Sequence, residues 1–349
     1  MIAVALSGGT DSAAAAIRLH EGREELVGIT LVFDEENPPA ISIERAGLLC
    51  AHLKIRHVVM DATSQFTTVK NYFCREYLAG TTPNPCVVCN RDIKFGLLQK
   101  QADELGADRI ATGHYVRKAG QGGRVWLGRA KERNSQEYFL GLLSQDAIRK
   151  SLFPLHDITR DQAWELAARA GLHILKRETS QDVCFIGAEG YIPFITSYTG
   201  FELQPGDILN RRGVVIGRHK GALSYTIGQR KGLGMGFGKK VYVLGRDMEK
   251  NTVTVGGREQ WPYRGFTMEQ VNLMKIPALN EPLAARMKVR YRQDAQDALL
   301  IPLTGGRTAV RYEGLFSPGQ LAVAYDRKDD ILCAGIIGSP LKDVPVTAG

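Results

Sequence analysis

Short apolar runs alternate, through the first hundred or so residues, with stretches whose apolar positions recur at helical spacing. The runs at 2–6, 26–33, 57–60 and 109–112 read as strands. The periodic stretches at 11–19, 43–53, 69–78 and 93–105 read as helices. Strands this short between amphipathic helices predict a doubly wound α/β domain, a parallel sheet covered on both faces. Ligands of such sheets bind beyond the carboxyl ends of the strands. From about residue 203 the helical period disappears. Short β-rich runs follow at 214–216, 241–244, 252–255, 285–289, 309–312, 321–325 and 331–337. Gly and Pro punctuate them, as in Gln204-Pro205-Gly206-Asp207 and Ser317-Pro318-Gly319. This half is expected to form two small β-barrel-like domains. The expected division is an α/β domain over 1–200, a central β domain over 201–261 and a C-terminal barrel over 262–349.

Composition narrows the class. The chain has 349 residues, long for one domain, and its 44% hydrophobic and 23% charged content is that of a soluble protein. No apolar run approaches the roughly 18 residues of a membrane span. Six cysteines in this length are too few for a secreted disulfide framework. The expected setting is therefore a reducing cytoplasm, where thiols are free to react. The net charge of +8 suits a polyanionic partner without requiring one.

Candidate chemistry begins at Ser7-Gly8-Gly9-Thr10-Asp11-Ser12, between the first strand and the first helix. Glycines let the backbone approach a phosphate, and the helix start offers unpaired N–H groups. Ser7, Thr10 and Ser12 add hydroxyls, and Asp11 can orient the loop or help hold Mg²⁺. The Gly-Lys-Ser/Thr ending of a Walker A loop is missing, which favours pyrophosphate release over γ-phosphoryl transfer. The string resembles the loop of ATP-pyrophosphatases, the enzymes that adenylate their substrate.

Cysteines supply the second feature. Thr82-Pro83-Asn84-Pro85-Cys86-Val87-Val88-Cys89-Asn90 reads as a loop, because two prolines oppose helix and central strand. A helix is expected to begin near Arg91, and Arg91 and Lys94 are expected to lower the cysteine pKa. Cys184 lies in a second irregular stretch. Three readings stand open. Cys86 and Cys89 can be half of a zinc site, although no second Cys-x-x-Cys pair exists. They can be a thioredoxin-like redox pair. Or one loop thiol can work with Cys184, one carrying a persulfide sulfur and the other resolving it as a disulfide. Cys50, Cys74 and Cys333 sit in apolar or helical surroundings and read as inert.

Together these residues resemble the tRNA-specific 2-thiouridylases. The resemblance runs through the phosphate loop, the Thr-Pro-Asn-Pro segment with Cys89-Asn90 and Ile93-Lys94-Phe95-Gly96, and Ala111-Thr112-Gly113-His114-Tyr115. It continues in Asp182-Val183-Cys184-Phe185-Ile186-Gly187, the run from Tyr225 through Thr226-Ile227-Gly228-Gln229-Arg230-Lys231-Gly232-Leu233 to Gly234, and Ser317-Pro318-Gly319-Gln320. It implies an ATP site formed by Ala5, Leu6, Ser7, Gly8, Gly9, Thr10, Asp11 and Ser12, with Leu31 and Gly113. Cys89 would be the nucleophile and Cys184 the persulfide carrier, the two forming a transient disulfide. Asn84, Pro85 and Cys86 would lie by the target base and His114 near the tRNA, with Asn134, Ser135, Gln136, Arg290, Tyr291 and Gln320 as further contacts. ATP and Mg²⁺ are the implied cofactors; a cysteine desulfurase or relay carrier is the implied sulfur donor. Two departures stand out: many members carry Asp where this chain has Cys86, and Asn134-Ser135-Gln136 lacks the Lys-Asp that often precedes the Gln.

The basic excess is concentrated. Between Asp207 and Asp247 there is no acidic residue, but there are Arg211, Arg212, Arg218, Lys220, Arg230, Lys231, Lys239, Lys240 and Arg246. This stretch is expected to grip RNA phosphates, with Tyr115, Tyr225 and Tyr291 as candidate stacking platforms. Two other functions remain open. A different ATP-pyrophosphatase would explain the phosphate loop but gives no reason for Cys89 and Cys184; a zinc-dependent RNA-binding module, with metal on Cys86 and Cys89, would leave the phosphate loop unexplained.

Overall fold

The computed structural model describes residues 1–33, 40–170, 183–233 and 240–345. The chain opens with β1 (Ile2–Ala5), α1 (Thr10–Glu21), β2 (Leu26–Val32), α2 (Ala40–Leu53), β3 (Arg56–Asp61) and α3 (Thr63–Leu78). Next come α4 (Pro85–Cys89), a π-helical turn Asn90–Leu97, α5 (Leu98–Glu104) and β4 (Arg109–Ala111). A hairpin of β5 (Arg117–Gln121) and β6 (Arg124–Gly128) precedes α6 (Gln145–Lys150), β7 (Ser151–Leu152), α7 (Arg160–Arg169) and α8 (Tyr191–Thr199). The parallel sheet has the order β3-β2-β1-β4-β7. β1 is completely buried at Ile2, Ala3 and Val4, as a central strand covered on both faces must be. On α1, Ala13, Ala14, Ala15 and Ala16 are all buried. Side chains that small bring the helix close to the sheet. α7, which packs on α1, is set by a capping box in which Thr159 and Gln162 satisfy each other's backbone N–H groups.

Beyond α8 the fold is β. A four-stranded sheet has the order β10 (Tyr242–Asp247), β11 (Thr252–Gly256), β8 (Gly206–Leu209) and β9 (Val215–His219). Its core is Ile208, Val243, Val253 and Tyr225. The last six strands, β12 (Gly265–Leu273), β13 (Leu283–Lys288), β14 (Gln296–Pro302), β15 (Thr308–Tyr312), β16 (Leu321–Tyr325) and β17 (Ile331–Leu341), close into a barrel. Closure leaves no free strand edge. Phe266, Met268, Met287, Leu300, Val310 and Phe316 fill it.

The β5–β6 hairpin, which the hydrophobic pattern did not reveal, joins the α/β sheet to the barrel. Arg124 donates to the carbonyls of Leu273 and Met274, Arg117 pairs with Asp330, and the Lys275 ammonium lies 4.9 Å from the Trp126 ring centre. One apolar core therefore runs from Ile110 and Leu98 through Tyr138 to Leu321 and Val323 of the barrel.

The expectation of a loop through Cys89 needs correction. Pro85 begins α4 instead of breaking it, because a proline at the first helical position lacks an N–H that would have no partner anyway. Helical backbone then runs on through the π-helical turn into α5. The strand readings of the second half fall on β9, β10, β11, β13, β15, β16 and β17, whereas β8, β12 and β14 had no marked signal.

Candidate active site

β1 delivers the phosphate loop at the carboxyl end of the sheet. β1 and β4 are neighbours there and the strand order reverses between them. Gly8 has φ of 69°, and a Cβ on it would sit 2.5 Å from the Ser42 carbonyl oxygen of α2. Only glycine fits both demands. The Ser7 N–H donates to the Ser12 hydroxyl at 3.2 Å, and that hydroxyl donates to the Gly9 carbonyl at 2.9 Å, so the loop is held in shape by its own residues. Gly113, just after β4, packs so tightly that a Cβ would lie 2.7 Å from the Asp11 backbone. A cleft opens beside the loop, lined by Leu6, Gly8, Gly9, Ser12 and Arg45 among others.

Asp11 has another task. The Tyr115 hydroxyl donates to its Oδ1 at 2.7 Å, and the Arg160 guanidinium stands 3.7 Å from Oδ2. Burial raises its pKa, against the lowering effects of Tyr115 and Arg160. With its carboxylate engaged on both oxygens, Asp11 braces the loop to Tyr115 and α7. Among the described residues no group of three His, Cys, Asp or Glu side chains could hold a metal ion.

The three cysteines of interest come together. Cys89 is buried in an apolar cluster with Ala62, Phe66, Val69 and Ile93, against which Leu31 and Phe185 pack. Leu31, on β2, thus connects the nucleotide end of the sheet to the thiols. Phe185 sits edge-on to Phe66 and Phe73, at 5.6 and 5.3 Å, and so pins the segment carrying Cys184. Cys184 is exposed, Cys86 half-buried, and all are free thiols. Each of Cys86 and Cys89 feels the charge of Cys184, and all three feel the Lys94 ammonium. Residues 171–182, including Asp182 of the second cysteine motif, lie outside the described residues.

The expected lowering of the cysteine pKa is wrong. Burial pushes the Cys89 thiol up to about 11 and raises Cys86, and the protein packed around the surface thiol of Cys184 raises it as well, with Lys94 opposing in each case. The reason is burial: Cys89 packs among apolar side chains at the end of α4 and helical backbone runs on past it, so it does not sit at a helix start as expected. Cys50, Cys74 and Cys333 are buried among apolar residues, as their surroundings in the sequence predicted.

Remote elements clamp the cysteine loop. The Gln320 side-chain amide donates to the carbonyls of Thr82 and Pro83 at 2.7 and 3.2 Å, and the Thr82 N–H donates to the Pro318 carbonyl at 2.8 Å. Arg246 donates to the carbonyls of Thr81 and Tyr225 at 2.9 and 2.7 Å. Arg290 donates to the Ile227 carbonyl at 2.5 Å and to the Ser317 hydroxyl at 3.1 Å. Beside Gly113, the Ser135 hydroxyl and the Gln136 N–H donate to the Tyr115 carbonyl at 3.1 and 2.9 Å. His114 shares a 2.9 Å hydrogen bond with Thr112, and burial followed by the Lys94 charge lowers its pKa to about 3, so the imidazole is neutral. Asn134 is exposed, and its carbonyl accepts from the Tyr291 hydroxyl at 2.9 Å; Asn84 is half-buried and Pro85 buried.

In the basic stretch, Arg211, Arg212, Arg218, Lys220, Arg230, Lys231 and Lys240 are exposed. Lys239 lies outside the described residues. Arg246 departs from the expected phosphate-gripping set, because its two terminal nitrogens donate to backbone carbonyls and its Nε is shut off from solvent. Tyr115 and Tyr225 are buried, which removes two of the three candidate stacking platforms. Two residues escaped the sequence reading, Arg45 and Arg160, whereas Lys94 stands by all three thiols as expected. Arg160 comes from α7, far along the chain, and no spacing rule links it to Asp11.

Comparisons with known proteins decide the family. Residues 1–188 match the family described as the tRNA methyl transferase HUP domain, and residues 193–257 the tRNA methyl transferase PRC-barrel domain. The tRNA-specific 2-thiouridylase of Desulfitobacterium hafniense is 36% identical, over 93% of this chain and 94% of its own. The chain belongs to the tRNA-specific 2-thiouridylase family. The 2-thiouridylase of Pelobacter propionicus is 38% identical over 98% of both chains, and that of Trichormus variabilis 39% over 96% and 98%. The likeness thus extends through the α/β domain and both β units of a 2-thiouridylase. Among the described residues no helix is long and apolar enough to cross a membrane.

Proposed function

We propose that this chain uses ATP to replace the 2-oxygen of a tRNA wobble uridine with sulfur carried on Cys184. The observation that carries the reading is the meeting of a buried Cys89 and an exposed Cys184 beside a preformed phosphate loop, with Leu31 between them. A phosphate loop alone suits many adenylating enzymes; two thiols at its side suit sulfur transfer.

The uridine oxygen is a poor leaving group. ATP supplies the remedy: attack of that oxygen on the α-phosphorus forms a phosphate ester and expels pyrophosphate. In this reading Ser7 to Ser12 hold the phosphates with backbone N–H groups and hydroxyls, Asp11 fixes the loop, and Gly113 lets the strand end approach. Exposed Cys184 accepts a persulfide from a cysteine desulfurase or a relay carrier. Its terminal sulfur reaches C2 either directly or as hydrosulfide, and AMP departs. Cys89 attacks Cys184 Sγ to release that sulfur, so both routes leave a Cys89–Cys184 disulfide, whose reduction needs a reducing compartment such as the cytoplasm. Asn84, Pro85, Cys86 and the neutral His114 border the base in this scheme. The exposed basic stretch and Asn134 meet tRNA phosphates. Gln320, Arg290, Ser135 and Gln136 shape the RNA site from behind. The division of labour follows three domains, with limits near residues 200 and 262.

The test is incubation of the protein with ATP, Mg²⁺, a cysteine desulfurase with cysteine, and tRNA bearing a wobble uridine, followed by nucleoside mass spectrometry. We expect the mass gain of oxygen replaced by sulfur, dependent on ATP. Cys184→Ser and Cys89→Ser should each abolish it without weakening tRNA binding. ATP cleavage with unmodified uridine would leave the adenylating fold and reject the substrate.

A further inference from the structure

The four-stranded sheet ends in an exposed apolar tip. β9 is the outermost of its described strands, and Val214, Val215 and Ile216 are 55%, 54% and 38% exposed. Neighbouring side chains of a strand point to opposite faces, so both faces of this edge are uncovered at its start. The turn that leads into it is held by its own bonds. The Asn210 side-chain oxygen accepts from the N–H groups of Arg212 and Val214 at 2.8 and 3.1 Å, and the Asn210 N–H donates to the Val214 carbonyl at 2.9 Å. Exposed cations surround the tip: Arg211 and Arg212 in the turn, Arg218 and Lys220 beyond it. Arg218 stands 4.0 Å from Asp207, the last acidic residue before Asp247. Exposed aliphatic side chains in a continuous run mark a contact surface. The like charges beside them repel a second copy of this chain and match a polyanion.

Strand register places the tip relative to the thiols. Arg246 of β10 grips the Thr81 carbonyl of the cysteine loop, and from Arg246 one row of paired residues runs through Val253 and Ile208 to Gly217 of β9. Three strand spacings are about 14 Å. With the target base at the thiols, an edge that far away meets the helical stem that closes the loop, not the splayed base.

We propose that the tip of the β8–β9 hairpin seats in the minor groove of the tRNA stem that carries the target uridine. The proposal rests on the tRNA-thiolating reading above. The minor groove of A-form RNA is wide and shallow and displays ribose 2′-hydroxyls. Val215 and Ile216 pack on ribose carbons, and the open backbone N–H and C=O groups of the strand edge meet the hydroxyls. Arg211, Arg212 and Lys220 bind the phosphates along the rims. Phosphate contacts alone leave the aliphatic run in water. This contact reads helical RNA by its shape, so it favours a uridine presented on a stem over the same uridine in a single strand.

The experiment measures binding of the full chain, over a range of salt, to an anticodon stem-loop RNA and to a single strand with the loop sequence alone. The double variant Val215→Thr, Ile216→Thr keeps β-branched side chains and removes apolar surface. It should weaken stem-loop binding about five- to ten-fold, with the salt slope and the single-strand affinity unchanged. Val215→Glu, a second variant that adds a charge facing phosphates, should weaken the stem-loop further. The parent should protect stem riboses from hydroxyl radicals, and both variants should leave them open to cleavage. Stem-loop affinity within about twofold of the parent, in variants that melt like it, would overturn the proposal and assign the aliphatic run to a protein partner. Equal losses on both RNAs would also overturn it, because the tip would then not read the stem. A parent protein that binds neither RNA would overturn the tRNA reading itself.

Discussion

Residues that are sequence neighbours shape the phosphate loop: Ser7, Gly9 and Ser12 bond to one another, and Gly8 supplies the positive φ. The cysteine loop is shaped from far away, with Thr82 gripped by Gln320 from 238 positions along the chain and Thr81 by Arg246 from 165. The phosphate loop's outside braces, Asp11 to Tyr115 and Arg160 and Gly8 against Ser42, all come from the α/β domain, so its shape does not depend on the two β units. A loop clamped by the two β units takes its shape from them, so events at the RNA-binding end can reach the thiols. The contrast ties nucleotide handling to local backbone and sulfur chemistry to the whole fold.

Gly8→Ala attacks the local side. The Cβ meets the Ser42 carbonyl and the positive φ strains any other residue, so the loop must move by an ångström or so. ATP-dependent turnover should fall about a hundred-fold, the usual consequence of such a displacement. An unchanged rate would mean that the loop is not as locally determined as its contacts imply.

Protonation of Cys89 probes the other side. Its thiol ionises near 11, so between pH 7 and 9 the thiolate fraction rises about tenfold per unit. Single-turnover thiolation by enzyme preloaded with persulfide should follow that slope. A plateau below pH 8 would show that Cys89 ionises earlier in the complex, with Lys94 outweighing burial.

Gln320→Ala removes both donors that hold Thr82 and Pro83. We expect about a tenfold fall in single-turnover thiolation, with KM for ATP unchanged. Equal damage to ATP binding would erase the distinction between the two sites. The smallest effect is expected within the basic stretch. Replacing exposed Arg211 or Arg212 with Ala should weaken tRNA binding a few-fold and reduce its salt dependence by about one counterion each. Arg246→Ala should lower the melting temperature and thiolation, with the salt slope intact.

The same contrast governs what could be read in advance. The parallel sheet and phosphate loop were legible because strand periodicity and Ser7-Gly8-Gly9 are local signals. Cys184 could be paired with Cys89 only through family likeness, since the burial of Phe185 against Phe66 and Phe73 is a tertiary fact. The helix at Pro85 was misread because proline opposes helix interiors but suits a first turn. The raised Cys89 pKa followed from that misreading together with unseen apolar burial. Arg246 looked like any other base in an acid-free stretch; one of its carbonyl partners, Thr81, lies 165 positions away.

The most direct test of the account is the fate of the two thiols after one turnover. Enzyme carrying persulfide on Cys184 is mixed with ATP, Mg²⁺ and excess tRNA without reductant, quenched with an alkylating agent and digested. The account predicts one peptide pair linked through Cys89 and Cys184 for each thiouridine formed. Thiouridine formed while both Cys89 and Cys184 are recovered alkylated would contradict it.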